Sequence, residues 1–123
     1  MDSSPERRRH TRFQVGVPVT LTVNDRPGPV PAALTDISVG GCFFEAPREF
    51  KTGWQVSLTF LLEHTLCGAT GAIVRAAERR GFGVEFANAN EAFAEFIRRL
   101  GETPDSTRGT LAANIAEAEI HVG

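Results

Sequence analysis

The chain has 123 residues, enough for one compact domain and too few for two comfortable cores. Hydrophobic residues make up 41% and charged ones 23%, with a net charge of −2, a balance expected of a globular fold rather than a disordered segment. It argues against a protein that coats nucleic acid or a membrane with its whole surface, and two cysteines, Cys42 and Cys67, are too few for a disulfide scaffold or a four-cysteine zinc site.

Residues 1–13, MDSSPERRRHTRF, are polar and aperiodic, and read as a flexible arm. They hold no secretory leader pattern, and nowhere does an apolar run approach the roughly 20 residues of a membrane span. The expectation is a cytoplasmic protein without membrane insertion. From Gln14 the pattern alternates: Val15, Val17, Val19, Leu21 and Val23 share one parity, as in a strand with one buried face. Pro18 interrupts it, so that strand lies at an edge or begins after the proline. After the turn cluster Asn24–Gly28, strands are predicted at about Pro31–Ile37 and Gly41–Glu45, joined by the bend Ser38-Val39-Gly40-Gly41. Trp54–Leu62 alternates again. Leu66–Ala76 follows, with Gly68 and Gly71 suggesting bulges, and Phe82–Phe86 gives a sixth strand.

The period then changes to 3.6. Phe93, Phe96, Ile97 and Leu100 form one helical stripe over Asn90–Leu100, with Asn88 and Glu91 as a capping box and Gly101 at the C-terminal cap. Within 102–123, Leu111, Ile115, Ala118 and Val122 share one possible helical face, so this extension reads as a partner helix or a tail. Six strands and one helix predict a mainly β fold: a small six-stranded antiparallel barrel over residues 14–101, with the helix packed upon it.

Two clusters carry candidate chemistry. Twelve of the 13 basic residues are arginine, and four of them (Arg7, Arg8, Arg9 and Arg12) fall in the arm with no acid between them. Arg8 and Arg12 form an RxxxR spacing, and Asp36, Ser38 and Gly41 fit [D/N]xSxxG, with Gly40 inside it. Guanidinium forks pair with phosphate through two parallel hydrogen bonds and stack on rings. A carboxylate such as Asp36 accepts both donors of a guanine edge, Ser38 offers a hydroxyl, and Gly41 allows a close backbone approach. Together they read as a guanine-nucleotide receptor made of one arm and one strand turn.

In these motifs, and in GFGVEF followed by FAEFIRRL, residues 6–100 resemble the PilZ domains, receptors for cyclic di-GMP. The resemblance implies a six-stranded barrel followed by a helix, with Arg8 and Arg12 gripping phosphates and stacking on guanine. It places Asp36, Ser38 and Gly41 on the barrel face opposite the arm. Arg7 adds a fork suited to a second, intercalated nucleotide.

The expectation is a non-catalytic receptor whose arm folds onto the barrel around cyclic di-GMP and so signals to a downstream protein partner. The alternative is a ligand-free adaptor of the same fold. No cofactor, no catalytic residue and no nucleic-acid partner is expected, and the chain is read as a monomer or homodimer. His10, His64 and His121 are scattered without metal-ligand spacing. Ser38, His64 and Asp36 lack the context of a nucleophile elbow. An arginine run alone would equally suit a solvated leader or a minor-groove arm.

Overall fold

The computed structural model describes residues 11–24, 27–78 and 80–123. Seven strands form a closed barrel: β1 (Phe13–Val23), β2 (Val30–Ile37), β3 (Gly41–Glu45), β4 (Gln55–Leu62), β5 (Thr65–Ala77), β6 (Gly81–Ala89) and β7 (Ile115–Val122). Two helices, α1 (Glu91–Glu102) and α2 (Asp105–Ala112), lie between β6 and β7. Around the barrel the order is β1-β2-β3-β6-β5-β4-β7. Every neighbouring pair is antiparallel except β1 and β7, which run parallel over Leu21–Val23 and Ile120–Val122.

The alternation read in β1 has its physical cause here, since Leu21 and Val23 are buried while Thr20 and Thr22 face solvent. Pro18, which has no N–H to donate, lies in the part of β1 that β7 leaves unpaired. Gly16, at φ 61°, occupies the register shift between Gln14 and Val17. That bulge falls between the arm and the regular part of the strand. Of the two glycines expected at bulges in β5, Gly71 lies at a register shift, whereas Gly68 pairs regularly with Thr59.

Aromatic rings fill the interior. Phe44, Phe50 and Phe82 cluster together, with centroids 5.3 Å apart for Phe44–Phe82 and 4.3 Å for Phe50–Phe82. Phe60 meets Phe93 and Phe96 of α1, and Phe86 meets Phe93 edge-on. The α1 stripe Phe93, Phe96, Ile97 and Leu100 is fully buried, so this helix docks by hydrophobic burial.

Three details differ from the sequence reading. The N-cap is Asn90, not Asn88: its Oδ1 accepts the Phe93 N–H at 2.8 Å, while Asn88 still belongs to β6. Asn90 also donates to the Leu66 carbonyl and accepts from the Gly68 N–H, so the cap is fastened to β5. Gly101 lies inside α1, and the C-cap is Thr103, whose N–H bonds back to the Leu100 carbonyl at 3.3 Å. Residues 102–123, expected as a helix or a tail, instead hold α2 and a seventh strand. There Ile120 and Val122 enter the core at a period of two. The barrel therefore has seven strands and one parallel seam, because β4 and the end of β1 share β7 as their common neighbour.

Candidate functional site

The two sequence motifs meet at the start of β1. Arg12, immediately before the strand, donates from Nη1 to Asp36 Oδ1 at 3.0 Å across 24 residues. Their side chains are 27% and 17% exposed, so the pair is partly shielded from water yet reachable from outside. Antiparallel register explains the meeting: Phe13 opposes Ile37 and Gln14 opposes Asp36, which sets the residue before β1 beside the end of β2.

Ser38 and Gly41 close the β2–β3 turn. The Ser38 N–H donates to the Gly41 carbonyl at 2.8 Å. The Ser38 hydroxyl accepts the N–H groups of Gly40 and Gly41, both at 3.1 Å, and donates to the Gly41 carbonyl at 3.2 Å. At 5% exposure it is a buried polar side chain, engaged within its own turn. The Gly40 carbonyl accepts the Phe86 N–H at 2.9 Å, fixing the turn against β6. Gly41 serves close approach: a Cβ there would lie 2.1 Å from the Val84 carbonyl oxygen. Val39 stands exposed at the tip.

Beneath the ion pair is Cys42, which opposes Ile37. Burial pushes its thiol far above the ordinary range, the Asp36 charge raises it further and Arg12 partly offsets this. Such a thiol stays protonated and serves as a small apolar side chain.

The strand register extends the site sideways. Asp36 opposes Phe43, Phe43 opposes Gly83, and Gly83 opposes Arg75, one row across β2, β3, β6 and β5. A Cβ on Gly83 would point between Phe43 Cδ1, at 3.7 Å, and Arg75 Cβ, at 4.0 Å, so both flank the same open position. Phe43 and Arg75 were absent from the sequence-derived site. The available signal was parity: Cys42 and Phe44 face the core, so Phe43 between them faces out.

Arg12, Asp36, Ser38, Gly40 and Gly41 thus form one contiguous corner, whereas Arg7 and Arg8 lie outside the described residues. Among the described residues no group of three His, Cys, Asp or Glu side chains gathers as for a metal ion. No helix there is long and apolar enough to cross a membrane.

The family model of the PilZ domain matches residues 6–101. The chain belongs to the PilZ family. This is a family of cyclic di-GMP receptors, generally non-catalytic, that typically act on partner proteins. The match takes in both motifs, β1 to β6 and nearly all of α1, while α2 and β7 lie beyond it. No curated protein and no solved structure matches the chain.

Proposed function

We propose that this PilZ protein is a receptor for cyclic di-GMP that holds the nucleotide between the N-terminal arginines and the Arg12–Asp36 corner. The observation that supports this best is the 3.0 Å contact between Arg12 of one motif and Asp36 of the other. A cation for phosphate and a carboxylate for the guanine edge stand side by side, largely shielded from water, where charge-assisted hydrogen bonds are stronger than in bulk solvent.

Each group has a role. Arg12, with Arg8 and Arg7 supplied by the arm, neutralises phosphate and stacks on guanine, and Asp36 accepts the imino and amino donors of the base. Ser38, Gly40 and Gly41 hold the turn that presents Asp36, and Gly40 ties that turn to β6. Phe43 and Arg75 continue the surface and offer a ring and a further cation to the base stacked beyond.

The magnitudes agree. Micromolar binding corresponds to about −8 kcal/mol. Charge-assisted hydrogen bonds of roughly 1.5–3 kcal/mol and guanidinium stacking of about 1–2 kcal/mol supply that from two arginines and Asp36, less the cost of ordering the arm. Binding draws the arm ahead of Arg12 onto the barrel and changes the surface met by a downstream protein.

Calorimetric titration with cyclic di-GMP tests the reading. Saturable binding in the wild type with at least roughly tenfold weaker binding in Arg12→Ala is expected. Absence of heat in the wild type makes the chain a ligand-free adaptor instead. One nucleotide per chain in both the wild type and Arg7→Ala removes the intercalated second ligand. Hydrogen exchange over residues 6–11 that is equally slow with and without nucleotide removes the arm's ordering.

A further inference from the structure

Arg12 and Phe13 are neighbours in sequence but face different neighbourhoods. Arg12 reaches Asp36, while Phe13, nearly fully buried, turns towards the corner between α1 and α2. A Cβ on Gly101 of α1 would lie 3.4 Å from Phe13 Cζ, so the ring rests on that glycine. From α2, the Arg108 guanidinium stands over the same ring, 4.8 Å from its centroid. Arg108 Nε also donates to the Leu100 carbonyl at 2.9 Å, tying α2 to an end carbonyl of α1. The first ring of β1 is therefore clasped by a residue that lies beyond the family match.

We propose that Arg108 is a positioning residue for the nucleotide site: by holding Phe13 against Gly101 it fixes where the arm leaves the barrel, and so couples the ligand to α2 and β7. This rests on the cyclic di-GMP reading and deepens it. The physical case has three parts. Adjacent residues share one peptide unit, so a fixed Phe13 leaves Arg12 little freedom to depart from the Asp36 corner. Pre-organising Arg12 lowers the ordering cost that weakens binding. Linkage then requires the reverse effect: whatever α2 contributes to ligand affinity, the ligand returns as tighter holding of α2. An eight-residue helix containing Gly109 has little stability of its own, so α2 is the element able to respond.

The experiment titrates cyclic di-GMP into wild type, Arg108→Ala and Arg108→Lys. It also measures thermal unfolding and hydrogen exchange over residues 105–112, with and without nucleotide. Arg108→Ala is expected to bind roughly three- to tenfold more weakly. Arg108→Lys, which keeps a cation over the ring, should recover much of that loss. Exchange in 105–112 should slow on nucleotide addition in the wild type and in Arg108→Lys, but not in Arg108→Ala. A merely structural role would lower the melting temperature and leave exchange in 105–112 indifferent to nucleotide, and that result overturns the proposal. Wild-type affinity in a folded Arg108→Ala overturns it too, while the nucleotide reading stands. Should Arg108→Ala fail to fold, affinity and exchange in Arg108→Lys decide, and exchange there unaffected by bound nucleotide counts against the coupling. No binding in the wild type removes both readings together.

Discussion

Arg12 Nη1 and Asp36 Oδ1 stand 3.0 Å apart, so each motif satisfies the other. On the proposed reading, cyclic di-GMP exchanges this contact for contacts to phosphate and base. A partly exposed pair contributes at most about 1 kcal/mol to folding, whereas either group facing a ligand contributes more than about 1.4 kcal/mol to binding. Arg12→Ala and Asp36→Ala are therefore expected to unfold within a few degrees of the wild type yet bind cyclic di-GMP at least about tenfold more weakly. Paired calorimetry and thermal melts check this; a large drop in melting temperature with unchanged affinity would contradict it.

Ser38→Ala is expected to act on stability first. Its hydroxyl accepts two backbone N–H groups and donates to one carbonyl in a buried turn. Leaving those partners unsatisfied costs about 1–3 kcal/mol, a fall in melting temperature of at least about 3 °C for a domain of this size. Denaturant titration measures the loss directly.

Gly41→Ala is expected to be severe. The new Cβ would meet a backbone oxygen at 2.1 Å, and backbone in a barrel has nowhere to withdraw. Separating β3 from β6 should cost about 3 kcal/mol or more. Circular dichroism melts on Gly41→Ala beside Gly53→Ala, where a Cβ meets nothing within 4 Å but φ is 93°, separate crowding from backbone strain.

Acid should weaken the barrel surface in one direction. Hydrogen bonding and charge from Arg99 hold the Glu63 carboxyl below its ordinary 4.5, and Arg98 does the same for Glu95. A lowered folded value means the contribution is complete above 4.5 and fades as pH drops through that lowered value. Both pairs are exposed, so the effect is small. Glu63→Gln should melt slightly below the wild type at neutral pH, and the two curves should converge once pH has dropped below the lowered Glu63 value.

Stopping the chain after Gly101, where the family match ends, is expected to abolish the closed barrel. Leu111, Ala112, Ile120 and Val122 would be lost from the core, and the edges of β1 and β4 would be bared. Size-exclusion chromatography of that truncation should show aggregate, while the full chain elutes as a discrete species.

Much of this architecture was legible because its signals are long. Eleven residues of alternation define β1, and a four-member apolar stripe defines α1. The seventh strand was hidden by brevity. Ala118, Ile120 and Val122 alternate, but Leu111, Ile115, Ala118 and Val122 also fit a helical face, and so short a window does not separate the periods. Glu117 at φ 52° adds a bulge that breaks the parity. Asn88 and Asn90 offered the same cap chemistry, and tertiary bonds to Leu66 and Gly68 decided between them. At the site, the meeting of Arg12 with Asp36 followed from motif resemblance, while Ser38's engagement within its own turn depended on geometry that residue types do not encode.

The parallel seam between β1 and β7 has a consequence for biosynthesis. Leu21 leaves the ribosome long before its partner Ile120 is made. The cylinder cannot be sealed until β7 has been made, so the nascent sheet waits until then with one flank unpaired. Chaperone protection of that flank, or a pause before residue 115, would then govern how much of the newly made chain reaches its native form.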